Sequence, residues 1–212
     1  MPVSPIMPRL STFATIFAVL FAMAFAAPSI SAGAPPATAP SSEPALGQPA
    51  MTQPVATPKG LWTFETYGSY ANQSSTREQL YSGTVGIGYY FLPDNSLTTE
   101  ITGLQGTQPG PDVGAGAADL LLRTDMIHAP GWIGFIDFGP GVIESSHRIP
   151  PAGTDFNFFF KTGVGATVQL WGKTDLITGV RYLHISNAHL EGPQRNPSLN
   201  AVEGYLGLLV RF

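Results

Sequence analysis

From Lys59 onward, apolar and polar residues alternate along the chain. Over 156–170 the even positions are Phe156, Phe158, Phe160, Thr162, Val164, Ala166, Val168 and Leu170. The odd positions are Asn157, Phe159, Lys161, Gly163, Gly165, Thr167 and Gln169, mostly polar or small. A period of two sustained over that length predicts a strand with two unlike faces. The pattern recurs and predicts eight strands, at 61–71, 80–91, 96–105, 114–127, 132–145, 155–170, 175–187 and 200–212. Their connections alternate between short (92–95, 128–131, 171–174) and longer (72–79, 106–113, 146–154, 188–199). Short turns at one end and longer loops at the other are the pattern of bacterial outer-membrane barrels. The expected fold is therefore all-β, an eight-stranded antiparallel transmembrane β-barrel over 59–212. An even strand count returns both barrel ends to the periplasmic side. A soluble sandwich is the alternative architecture, because alternation alone does not specify lipid.

If the apolar faces meet lipid, the opposite faces gather Glu65, Glu100, Arg123, Asp125, Asp137, Lys161, Arg181 and Glu203. Both signs are present, so a paired network is expected to fill the narrow interior of so small a barrel. Each of these charges is first of all a structural residue, since a charge facing a closed lumen needs a partner.

The ends of the chain add address information. Arg9 precedes an uncharged apolar run over 12–27, and Ala24-Phe25-Ala26 fits a small-x-small cleavage pattern. Residues 1–32 are expected to be a secretory signal peptide cleaved within 26–32. A transmembrane anchor is the alternative, but the run is short of the ~20 apolar residues a spanning helix needs. Residues 33–58 are rich in Pro, Ala, Ser and Thr with Glu43 the only charge, and are expected to be a disordered linker. At the other end, Val210-Arg211-Phe212 closes an alternating strand on a phenylalanine. That resembles the signal by which the barrel-assembly machinery recognises its clients.

Composition agrees with a membrane barrel. Only 11% of the 212 residues are charged, against roughly 25% in ordinary soluble domains. A net charge of −4 gives no footing for nucleic acid. With no cysteine, disulfides, thiolate metal sites and a lipoprotein anchor are excluded.

One segment carries chemistry: Arg181-Tyr182-Leu183-His184-Ile185-Ser186-Asn187-Ala188-His189-Leu190. His184 and Ser186 follow Leu176, Val180 and Tyr182 on the apolar face of the seventh strand, where polar side chains are costly. Residues two apart lie side by side on one face of a strand. An imidazole beside a hydroxyl can take its proton, the base–nucleophile pairing of serine esterases. The plain alternative is a His and a Ser meeting water and headgroups at the membrane interface.

The wider stretch resembles the outer-membrane lipid A 3-O-deacylase (PagL) family. The residues that carry the resemblance are His184-Ile185-Ser186-Asn187-Ala188, then Asn196-Pro197-Ser198-Leu199-Asn200, then a last strand ending in Phe. The resemblance implies Ser186 as nucleophile, His184 as general base and Asn187 as donor to the oxyanion. It also implies a second donor, a backbone amide at a position often held by glycine and here by His189. The family acid that orients the histidine aligns with Asn200, which shares the lipid-facing parity of His184. A bulge near Ala201 would instead bring Glu203 to that role. By the same resemblance the chain is expected to be an esterase of the bacterial outer membrane acting on lipopolysaccharide. With both barrel ends periplasmic, strand seven runs outward and puts Ser186 at the outer leaflet, and this mechanism needs no cofactor or metal. Two other functions fit the same residues: an outer-membrane phospholipase A-like esterase, which would need about twelve strands, and a non-enzymatic surface barrel.

Overall fold

The computed structural model describes residues 55–73 and 78–212. The expected signal peptide and the linker up to residue 54 lie outside the described residues. The barrel has eight strands: β1 (Trp62–Gln73), β2 (Glu78–Leu92), β3 (Asn95–Thr107), β4 (Val113–Ala129), β5 (Trp132–Ile149), β6 (Thr154–Trp171), β7 (Thr174–Ser186) and β8 (Leu199–Arg211). Each pairs antiparallel with the next, and β8 returns to β1, closing the barrel. Three connections at one end are two-residue turns, each with one residue in the left-handed region: Asp94 (φ 62°), Gly131 (φ 83°) and Gly172 (φ 53°). Such residues match the twist of a tight hairpin. The other end carries the longer loops, and the longest runs from Asn187 to Ser198.

The predicted parity holds. All eight charges assigned to the lumen are buried, and Asp119 on β4 joins them. An alternating chain of ion pairs crosses the interior. Asp119 meets Lys161 (2.8 Å), Lys161 meets Glu100 (3.1 Å), and Glu100 meets Arg181 (3.4 Å). Arg181 continues to Asp137 (2.7 Å), which meets Arg123 (3.4 Å), which ends on Glu65 (2.7 Å). Excluded from water, each charge depends on its neighbours, so removing one partner of such a pair typically costs about 3–5 kcal/mol. Aromatic rings complete the plug: Phe135 lies 4.3 Å from the Arg123 guanidinium and Tyr205 4.3 Å from that of Arg181. Gly165 and Gly179, paired across β6 and β7, make room for those rings, since a Cβ on either would lie within about 2.5 Å of them.

Towards the long loops the lumen changes character. Leu80, Val113, Ile143, Phe159, Leu183, Ile185 and Leu199 form an apolar cluster there. The inward face was expected to be polar or small, and this cluster is the departure. A lumen this narrow is filled by side chains, and apolar ones seal its loop end without needing partners. Aromatic girdles mark the outer wall, with Trp62, Tyr89, Trp132 and Trp171 near the short turns and Tyr70, Tyr81, Phe158 and Tyr182 near the loops.

Two boundaries differ from expectation. Thr57, assigned to the linker, is fixed to the barrel floor. Its N–H donates to Asp94 Oδ1 (2.6 Å) and its hydroxyl to Asp125 Oδ2 (2.6 Å). Strand β5 runs on past residue 145 to Ile149, with the β5–β6 register interrupted between Glu144 and Ile149. Side chains bridge the gap: Ser145 Oγ donates to the Asp155 carbonyl (2.7 Å) and Asn157 Nδ2 to that of Ile149 (3.0 Å).

Candidate active site

Strand β7 sorts its residues by parity. Arg181, Leu183 and Ile185 are buried in the lumen, whereas Tyr182, His184 and Ser186 look outward. Hydrogen-bonded register then supplies neighbours. His184 pairs with Asn200 of β8 and with Phe160 of β6, and Ser186 pairs with Phe158. The β7–β8 register runs without a shift through Leu183–Ala201 and Arg181–Glu203, so no bulge reverses the parity of β8.

Of the two candidates for orienting His184, only Asn200 reaches it. Asn200 Oδ1 lies 2.7 Å from His184 Nδ1. An amide oxygen there accepts from Nδ1–H and leaves Nε2 as the basic nitrogen. Glu203 is buried on the far side of the wall and accepts from Ser69 Oγ (2.6 Å). Asn200 is held from several directions. Tyr182 donates its phenol to the same Oδ1 (2.6 Å), Asn200 Nδ2 donates to Ser198 Oγ (3.2 Å), and the Asn200 N–H donates to Gln73 Oε1 (2.5 Å). No hydrogen bond joins His184 to Ser186 among the described residues. Base–nucleophile contacts are commonly long until a substrate aligns them.

Asn187 departs from the expected geometry. As the first residue past β7 it turns inward and is 2% exposed. Its N–H donates to Asn196 Oδ1 (2.9 Å) and its Nδ2 to the Arg195 carbonyl (2.7 Å). Its Oδ1 accepts the N–H of His189 (3.0 Å). Both expected oxyanion donors thus make hydrogen bonds within the loop, which Asn187 organises, and Asn187 Nδ2 commits one of its two N–H groups there. Ala188 (φ 50°) and His189 (φ 64°) occupy the left-handed region that glycine favours. The His189 ring is tied to Asn196, 3.2 Å from its Nδ2.

Around these polar groups the wall is apolar. Phe158 and Phe160 flank the pair on β6, Val202 lies below Asn200, and Leu190 is exposed in the loop above. Sequence reasoning did not single out Tyr182, although its parity and its place two residues before His184 put it on the same face. Gln73 left no such signal, because its contact with Asn200 joins positions 127 residues apart.

A closed eight-stranded barrel with an apolar outer wall, aromatic girdles and a charged lumen defines the class: a barrel of the outer-membrane type. Comparison with known proteins gives the family. The model of the lipid A 3-O-deacylase (PagL) family matches residues 62–208. The chain belongs to that family. It is accordingly an outer-membrane ester hydrolase that removes the 3-O acyl chain of lipid A. This sets aside the phospholipase A-like and non-enzymatic alternatives, and the barrel has eight strands rather than twelve.

Among solved structures, Neisserial surface protein A shares the fold, with a TM-score of 0.51 and 17% identity over 71% of this chain and 94% of that one. The N-terminal barrel domain of Pseudomonas aeruginosa OprF aligns with a TM-score of 0.48 and 14% identity, covering 73% of this chain and 98% of that one. No curated protein matches the chain significantly.

Proposed function

We propose that Ser186, His184 and Asn200 carry out the deacylation, with Ser186 as nucleophile. The observation that supports this most directly is the 2.7 Å contact between Asn200 Oδ1 and His184 Nδ1, on the same outward face as Ser186. In the first step His184 Nε2 takes the Ser186 proton as Oγ attacks the acyl carbonyl. The tetrahedral intermediate collapses with loss of the sugar hydroxyl, to which His184 returns the proton. Water, activated by the same imidazole, then releases the fatty acid from Ser186. Phe158 and Phe160 supply an apolar surface along which the departing acyl chain can lie.

The negative charge on the carbonyl oxygen needs a donor. An Asn amide has two N–H groups, and Asn187 gives one to the Arg195 carbonyl. The second, together with the His189 N–H once it leaves Asn187 Oδ1, is the loop's contribution to the oxyanion.

The site lies at the long-loop end of the barrel, and in such barrels the long loops face outside. The reaction therefore takes place at the outer leaflet, where lipopolysaccharide presents ester-linked chains close to its sugars. The outward alternation of Leu206 and Leu208, continued to Phe212, supports recognition by the barrel-assembly machinery.

A phosphonate ester probe tests the nucleophile. Incubated with the purified barrel in detergent, it labels Ser186, as read by peptide mass spectrometry, and His184→Ala abolishes the labelling. A label on another residue of an active preparation contradicts the assignment.

A further inference from the structure

A neutral amide in the place of an acid creates a difficulty that a carboxylate does not have. A carboxylate presents an oxygen whichever way it turns. An asparagine presents oxygen in one orientation and NH2 in the other. If Asn200 turned its Nδ2 towards His184, the ring would accept at Nδ1 and carry its proton on Nε2, the nitrogen that must be free to act as base. Something must hold Asn200 with its oxygen towards the ring.

We propose that Tyr182 is this positioning residue, and that its phenol proton fixes the orientation of Asn200 and thereby the tautomer of His184. The inference rests on the proposed Ser186–His184–Asn200 assignment. Tyr182 lies two residues before His184 on the same outward face and is 46% exposed to the lipid side. Its hydroxyl is 2.6 Å from Asn200 Oδ1, so that oxygen accepts from Tyr182 and from His184 Nδ1 together. A carbonyl oxygen has two lone pairs and satisfies both donors.

Flipping the amide would strand the phenol proton. Among the described residues Tyr182 has no other acceptor, so a flipped amide forfeits the hydrogen bond that the phenol donates. The opposite end of the amide is held more loosely, by Ser198 Oγ at 3.2 Å. A serine hydroxyl donates about as readily as it accepts, whereas the more acidic phenol is the better donor and the poorer acceptor. The short Tyr182 contact therefore discriminates between the two orientations and the long Ser198 contact does not. Tyr182 is thus the group that makes asparagine workable where the family has an acid.

Tyr182→Phe keeps the ring and removes only the proton donor. Steady-state kinetics on lipid A in micelles should show kcat down by about tenfold with KM within about twofold. That is a partial form of the ~10⁴-fold loss that a wrong histidine tautomer produces in serine proteases. Nitrogen-15 spectra of histidine-labelled protein should show His184 protonated on Nδ1 in the native barrel and a mixture of tautomers in the variant. Adding Asn200→Asp should restore the lost turnover, because a carboxylate needs no orientation. Native kcat and an unchanged Nδ1–H signal in Tyr182→Phe would overturn the proposal, as would a loss that Asn200→Asp does not rescue. Failure of the underlying assignment reads differently: the phosphonate probe would then leave Ser186 unlabelled in the native protein.

Discussion

Strand β7 carries two kinds of polar residue, and the two faces of the barrel wall treat them differently. Inward, Arg181 is 1% exposed and bound to Glu100 and Asp137 in a chain of alternating charges. Outward, three residues further on, His184 meets lipid with one amide oxygen as its charge-orienting partner. The inner group is numerous, mutually neutralising and structural. The outer group is sparse and uncharged apart from what the imidazole would acquire in the proposed reaction. In a wall where lipid surrounds one face, polar side chains on that face need a reason beyond folding, whereas charges on the other face are explained by one another.

Mutations on the two faces should therefore separate activity from stability. The largest effect is expected for His184→Ala, which should lower deacylation about 10⁴-fold or more, as loss of the base does in other serine hydrolases. Its heat-modified mobility on gels should match the native barrel. Arg181→Ala should do the reverse. It leaves Glu100 and Asp137 short of a buried partner and should cost about 3–5 kcal/mol in urea unfolding from detergent or lipid. The fraction that folds should turn over normally.

Smaller effects sharpen the boundary. Asn187→Ala should slow turnover about 10²-fold, in line with the loss of one oxyanion donor. Because Asn187 also holds Arg195 and His189, the loop should open, and trypsin should cut after Arg195 faster than in the native barrel. Full loop protection with a slow enzyme would instead make Asn187 a donor alone. Asn200→Asp should accelerate the reaction a few-fold, since a carboxylate supports the imidazolium better than an amide. Glu203→Gln is expected to leave turnover unchanged, because Glu203 lies in the lumen against Ser69.

Much of this was legible in the residues. Period-two alternation needs no alignment to reveal strands, and parity alone sorted Arg181 inward and His184 outward. Asn200 was also within reach, because antiparallel neighbours share a face when no bulge intervenes. Other features were not legible for physical reasons. The apolar cluster of Leu183, Ile185 and Leu199 occupies the inward face near the loops, where side-chain filling replaces ionic pairing, and period-two parity does not tell the two apart. Asn187 keeps the buried parity of Leu183 and Ile185, but parity does not tell what its amide binds there. Its loop is built from hydrogen bonds to Arg195 and Asn196, which no periodic pattern encodes. Thr57 sits in proline-rich sequence, and its anchorage depends on Asp94 and Asp125 far along the chain.

The central claim is that Ser186, on the outward face, is the nucleophile of the 3-O deacylation. Its most direct test is mass spectrometry of lipid A from cells of a lipopolysaccharide-producing host expressing the native chain or Ser186→Ala. Both proteins should reach the outer membrane in equal amounts and show the same heat-modified mobility. The native chain should yield lipid A lighter by one 3-O acyl group, and Ser186→Ala should leave lipid A intact. Equal deacylation by the two proteins would contradict the account.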